Sequence, residues 1–234
     1  MAYKHGVYTS EVPTSVVPAV NTTAGLPVVF GTAPVHLASE RAQTNKPILC
    51  YSYAEVVQQL GYSKDWAKYT LCEVMYSQFA LYNRGPVVFV NVLDPKTHKK
   101  STSSKNVTVT NKVAKVDAPV LLDTLQIKAS AAGSALIAGS DYEAAYDDDG
   151  VLVITLLDDG TAIAASNLTL TYDEIDAAAV DADDIIGGIN VSDGSVKGLE
   201  CLNKVFPITG LVPGIVLAPG WSENPTVAAV MKAK

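Results

Sequence analysis

The sequence is poor in the features that usually announce chemistry. Three cysteines (Cys50, Cys72, Cys201) lie far apart in 234 residues, too few and too scattered for a disulfide framework, so buried reduced thiols are expected. No apolar run reaches the roughly 18 residues of a membrane-spanning helix, and Met1-Ala-Tyr-Lys-His-Gly6 has no long apolar core of a secretion signal. Membrane insertion is therefore not expected, and the sequons at Asn21, Asn106, Asn167 and Asn190 read as chance. A formal charge of −7 argues against a nucleic-acid-binding surface, which needs clustered Lys and Arg.

Catalytic patterns are missing as well. There is no G-x-x-x-x-G-K-[ST] loop, and no G-x-G-x-x-G follows either early strand. Gly220-Trp-Ser-Glu-Asn224 lacks the closing glycine of a nucleophile elbow, which leaves Ser222 as a turn or cap residue. His5, His36 and His98 occupy three different segments with no carboxylate at helical spacing, so neither a shared metal nor a triad is expected. Asp147-Asp-Asp-Gly150 imitates part of a calcium loop. With Gly150 as the sixth position, however, the first and twelfth ligands would be Ala145 and Leu156, neither of which binds a cation. A hairpin turn is the better reading. No catalytic, cofactor-binding or metal-ligating residue is assigned, no cofactor is expected, and the chain does not read as an enzyme.

What is present is a set of short β-branched runs. Gly85-Pro-Val-Val-Phe-Val-Asn-Val-Leu93 follows the turn chemistry of Asn83-Arg84 and reads as a strand buried on both faces. Leu26–Ala33 and Gly214–Pro219 have the same character, and the three are expected in one sheet. Ser52 offers an N-cap with Glu55 at capping-box spacing for a helix Tyr53–Leu60, ended by Gly61. Tyr69–Tyr82 places Leu71, Val74, Met75, Phe79 and Tyr82 on one helical face. Residues 1 to about 25 carry apolar residues without a face and contain Pro13 and Pro18, which suggests an extended arm.

Charge divides the chain. Ala129–Val196 holds fourteen Asp and Glu and no Lys, Arg or His, a composition break that suggests a separate module with a solvated outer surface. Lys96–Lys105 reads as a basic linker into it. Short strands are expected at Asn106–Val113, Val120–Ala129, Ala135–Ile137, Tyr142–Tyr146, Val151–Leu157 and Leu168–Tyr172, with Asp-Gly turns at 149–150 and 159–160. Beyond them, Ile175–Ile186 is a short acidic segment broken by Gly187-Gly188. A helix-like stretch then starts at Ser192 or Asp193 with Val196, Leu199, Leu202 and Val205-Phe206 on one face, limited by Pro207. Asn224 and Pro225 are set to cap and open a last helix, Thr226–Lys234.

Several of these stretches, in this order, resemble the tail sheath proteins of contractile bacteriophage tails. They are His5-Gly-Val-Tyr-Thr-Ser-Glu-Val-Pro13, Thr22-Thr-Ala-Gly25 with Val29-Phe-Gly-Thr-Ala-Pro34, Asn45-Lys-Pro47 and Ala138-Gly-Ser-Asp-Tyr142. Later come Asp183-Asp-Ile-Ile-Gly-Gly-Ile-Asn190, Gly198-Leu-Glu-Cys-Leu-Asn-Lys-Val-Phe-Pro207 and Val212-Pro-Gly-Ile-Val-Leu-Ala-Pro-Gly-Trp-Ser222. The resemblance implies a structural virion subunit, assembled in the bacterial host cytoplasm as stacked hexameric rings around a tail tube protein. Contraction of the sheath would drive the tube through a cell envelope, with terminal arms joining copies of the subunit. Relative to that family the chain is expected to lack the C-terminal region.

The expected fold is α+β or α/β: a discontinuous α/β core (26–103 and 176–234), an inserted acidic all-β unit (104–175, a small sandwich or barrel) and an extended arm (1–25). The alternative is a small-molecule-binding protein or enzyme on an α/β fold, against which stands the lack of convergent polar residues after Ala33, Leu93 or Ala218.

Overall fold

A computed structural model describes residues 25–234; the expected N-terminal arm, Gly25 apart, lies outside the described residues. In chain order the elements begin with β1 (Pro27–Gly31), β2 (Ile48–Cys50), α1 (Tyr53–Leu60) and α2 (Leu71–Met75), which widens into a π-helical stretch over Tyr76–Leu81. Next come β3 (Val87–Asn91), β4 (Lys99–Thr108), β5 (Val113–Val116), β6 (Gln126–Lys128), β7 (Tyr142–Tyr146), β8 (Leu152–Leu156) and β9 (Asn167–Ile175). The chain continues through α3 (Ala182–Ile186), β10 (Gly188–Ile189), β11 (Val196–Lys197), a 3-10 segment (Gly198–Lys204), α4 (Val205–Thr209), β12 (Ile215–Leu217) and α5 (Pro225–Ala233). The fold is mixed α/β with several small sheets.

The three β-branched runs share one sheet, in the order β12-β1-β3-β2. β1 lies parallel to both β12 and β3, with Val28 beside Val88 and Pro27 beside Ile215, while β2 runs antiparallel to β3. Val28, Val29, Phe30, Val88, Phe89 and Val90 are fully buried, because helices cover this sheet and its strands need no polar face. Leu60, Leu71, Met75, Leu199, Val205 and Val227 complete the same core. Gly31 is required where it stands: a Cβ there would come within 2.3 Å of Thr70 Oγ1.

Helix α1 is capped as its sequence suggests, with Ser52 Oγ accepting from the Glu55 N–H at 3.3 Å. The Glu55 carboxylate takes the Tyr51 N–H at 2.9 Å rather than the N-cap's own. The stripe Leu71, Val74, Met75, Phe79 is buried as expected, but the π-helical stretch turns Tyr82 out to solvent. Asn224 Oδ1 accepts from the Thr226 N–H at 2.9 Å and Pro225 opens α5.

Two other expectations fail. Residues 192–206 are not one helix: β10 and β11 form a small antiparallel hairpin, then the chain continues as a 3-10 segment into α4. Val196, Leu199, Leu202 and Val205 recur every three residues, which is the 3-10 repeat and only imitates an amphipathic α-helix. Pro207 does not end α4 either. It sits in the first turn, where an N–H would have no helical acceptor. Phe206 is 58% exposed instead of lying on the inner face.

Residues 99–175 form two antiparallel three-stranded sheets, β4-β9-β6 and β5-β8-β7. Both send side chains into one core containing Val116, Ile127, Leu152, Ile154, Leu156, Leu168 and Leu170. No ring of strands closes among the described residues, so the barrel alternative is set aside. The Asp147–Gly150 turn joins β7 to β8 as expected: Asp147 Oδ1 accepts from the N–H groups of Asp149 and Val151. Val120–Ala129 is only partly strand, interrupted by a 3-10 turn at Leu122–Thr124, and Ala135–Ile137 contributes a single bridge to Lys128.

Lys96–Lys105 is not a linker. Most of it is β4, which pairs along the full length of β9 with an irregularity between Thr102 and Lys105. The pairing places lysines against the acidic stretch: Lys99 on Asp173, Lys100 on Asp176 at 2.9 Å, and, outside β4, Lys112 on Asp158 and Lys115 on Asp147. The acidic stretch is thus partly neutralised by its neighbours. Such exposed pairs contribute about 0–1 kcal/mol each.

Candidate functional surface

In open parallel sheets, ligands are usually held at the carboxyl ends of the strands. Here the ends of β1 and β3 are tied up by the protein's own side chains. Asn91 is buried, its Oδ1 accepting from Ala33 N and Leu93 N (3.1 Å each) and its Nδ2 donating to Leu93 O at 2.9 Å. Thr32 and Thr70 exchange hydrogen bonds, each backbone N–H donating to the other's hydroxyl oxygen at 3.3 and 3.1 Å, and the Thr32 hydroxyl donates to Lys68 O at 2.7 Å. These groups finish the two strands with hydrogen bonds made inside the protein.

The two described histidines, His36 and His98, are held in separate places. His5 lies outside the described residues. His36 is buried against the rings of Tyr69 and Tyr146 (centroids 5.9 and 5.4 Å), and burial, aided by the nearby Arg41 charge, lowers its pKa to about 3. It therefore stays neutral at any physiological pH. His98 is held elsewhere, between Asp94 and Asp184. Ser222 sits in a turn with its N–H on Ala218 O. The three thiols are free and buried. Burial raises Cys50 and Cys72 to about 12 and Cys201 to about 11, which leaves them protonated and unreactive. No group of three or more His, Cys, Asp or Glu among the described residues could hold a metal ion.

What the surface does offer is area for contact. A cleft of about 1000 Å³ separates the Tyr62–Tyr69 segment from the turns around Asp117 and Asp147–Gly150. Its floor is apolar and aromatic (Leu37, Val57, Tyr69, Tyr146), and its rim carries Asp117, Asp148, Asp149 and Glu174. Elsewhere, Phe206, Ile208, Val212 and Ile215 expose apolar side chains within ten residues beside β12. Among the described residues β12 is at the edge of its sheet and pairs only with β1. Trp66 and Tyr76 stack obliquely at 5.6 Å on another face, both partly exposed. Individual clusters such as 206–215 were visible in the sequence as apolar residues. Their exposure was not, because the same letters spell a core.

No family model matches the chain. A tail sheath protein of Burkholderia phage BcepMu is 28% identical over 234 residues, 99% of this chain. The chain spans only 46% of that relative's length. The likeness first carried by scattered motifs thus extends from one end of the chain to the other, and what this polypeptide resembles is a phage tail sheath protein.

Proposed function

We propose that this chain is a structural subunit of a contractile phage-type tail sheath, working through contacts between copies and not through catalysis. The observation that carries the reading is the 28% identity to a sheath protein along 99% of the chain. Surface chemistry supports it, since Asn91, Thr32 and Thr70 occupy the ends of β1 and β3, where an enzyme of this architecture would hold a ligand. In this reading the subunits stack as hexameric rings around a tail tube, residues 1–25 serve as an arm to a neighbouring copy, and the sheath shortens to drive the tube through the envelope. Neither nucleic acid nor membrane is a partner.

The same reading divides the chain into an α/β core and an inserted β unit. The core comprises 26–103 and 176–234 by composition. The insert, 104–175 by composition, becomes 99–175 when β4 is taken whole. The separate apolar core of the insert and its wholly internal strand pairing favour this division. Immunogold electron microscopy tests the function, using antibody raised against residues 99–175 on lysates of cells expressing the chain from its own locus. Gold along hollow striated cylinders is the expected result. Label confined to soluble particles, with cylinders present but bare, would reject a sheath role.

A further inference from the structure

The 99–175 unit leaves the α/β part through two adjacent crossings. β4 departs at Lys99, opposite Ile175 of β9, and the next residue on the return, Asp176, donates its N–H to His98 O at 3.0 Å. His98 therefore sits at the root of both crossings. Its own N–H donates to Asp94 O at 2.8 Å, and its Nδ1 accepts the Asp94 N–H at 3.0 Å. On the opposite side of the ring, Nε2 lies 3.2 Å from Asp184 Oδ2. An imidazole whose Nδ1 accepts a backbone N–H carries its proton on Nε2, so the neutral ring donates to Asp184 and satisfies both nitrogens at once. The side chain is 12% exposed.

Asp184 is itself fixed. It belongs to the capping box of α3: the same Oδ2 accepts the Asp181 N–H at 3.1 Å, and Asp181 Oδ1 accepts the Asp184 N–H at 3.1 Å. The helix is pinned in turn by Ile185, fully buried in the α/β core. One ring thus spans from the end of β3 to the first turn of α3 while its backbone holds the returning strand.

A second polar link crosses beside it, Lys100 Nζ lying 2.9 Å from Asp176 Oδ2, though the lysine side chain is 62% exposed and such a pair is weak; the other contacts are of different kinds. Leu121 and Ile175 pack into the α/β core, and the His36 ring meets Tyr146. Arg41 approaches Asp123 at 3.9 Å, with the Asp123 side chain 66% exposed. Apolar contacts such as these permit sliding, and the Arg41 pair is weak. The His98 hydrogen bonds, by contrast, are directional and sit at the pivot, where a small change of angle moves the far rim of the cleft most.

We infer that His98 is a positioning residue that sets the angle between the 99–175 unit and the α/β part, and with it the width of the cleft between Lys64 and Asp148. This rests on the division of the chain proposed above. Its consequence for a shell subunit is that the molecule moves as one body and not as two hinged halves.

The test is a distance measurement in the full chain. Spin labels go on Lys64→Cys and Asp148→Cys, both exposed and on opposite walls of the cleft; the three native thiols are buried and stay unlabelled. The parent pair should give one narrow distance distribution. His98→Ala should broaden and shift it, while His98→Gln, whose amide reaches the Nε2 position and can still donate to Asp184, should restore most of it. An unchanged distribution in His98→Ala would overturn the inference. So would equal broadening in both variants, which would mark a merely structural residue. Amide hydrogen exchange on the same samples separates this from the division itself. If β4–β9 and β1–β3 lose protection together in His98→Ala, the two parts are one cooperative unit and the division fails. If protection is kept while the distance stays fixed, only the latch fails.

Discussion

Replacing Val88 offers a graded probe of the central sheet. Val88 is fully buried in β3, beside Val28 of β1 on one side and Leu49 of β2 on the other. Val88→Ala removes about two methylene equivalents at ~0.8 kcal/mol each. The residual cavity brings the expected loss to about 2–3 kcal/mol. At about 2–4 °C per kcal/mol for a chain of this size, the melting temperature should fall by about 5–10 °C. Val88→Asp is more severe, because a buried polar group without a partner adds about 2–7 kcal/mol to the loss of the valine. Against a total stability of about 5–15 kcal/mol, the α/β core should not fold. Scanning calorimetry, with circular dichroism alongside, reads both variants. If the chain melts as two units, Val88→Ala should lower one transition and leave that of the 99–175 unit in place. A soluble Val88→Asp protein melting at the parent temperature would refute the burial argument altogether.

Residues 99–175 expressed alone should give a protease-resistant β spectrum, since every strand pairing of the unit is internal to it; a random-coil spectrum would rule out an autonomous unit. Asp141 gives a pH test. Its carboxylate accepts the N–H groups of Ile137 and Thr161 and the Thr161 hydroxyl, and these bonds hold its pKa below the usual carboxylate value. A depressed folded-state pKa contributes stability that is present above the unfolded value and lost as pH falls through the folded one. Melting of the 99–175 unit should therefore drop as pH is lowered below about 4, the ordinary carboxylate range, and Asp141→Asn should flatten that part of the profile. An identical acid slope in the variant would remove Asp141 from the account.

The central sheet was legible because a strand covered on both faces can be almost wholly β-branched, as Val87–Val90 is, and little else in a soluble protein reads that way. The caps at Ser52 and Asn224 were legible because they are local. All of β4 before Asn106 was missed for the opposite reason. Nearly all of its residues from Lys99 to Thr108 are exposed, so no apolar alternation marks it, and it is a strand because β9 behind it is buried. The 192–206 segment was misread because three-residue spacing is ambiguous between two kinds of helix. The cleft and the His98 link join segments some 80 residues apart or more, such as Lys64 with Asp148 and His98 with Asp184, and no local pattern encodes such meetings. What the sequence did carry about function lay in its motif order, and the comparison extends that likeness along the chain.

The strand order β12-β1-β3-β2 has a bearing on biosynthesis. β1 leaves the ribosome before residues 99–175, yet its neighbour β12 leaves only after them. Meanwhile the pairings of β4 to β9 need nothing from either side of the crossings. The pairings within 99–175 can therefore be complete while β1 and β3 still lack β12. Under the function proposed above, a nascent chain cannot offer another copy a finished central sheet before β12 has been made.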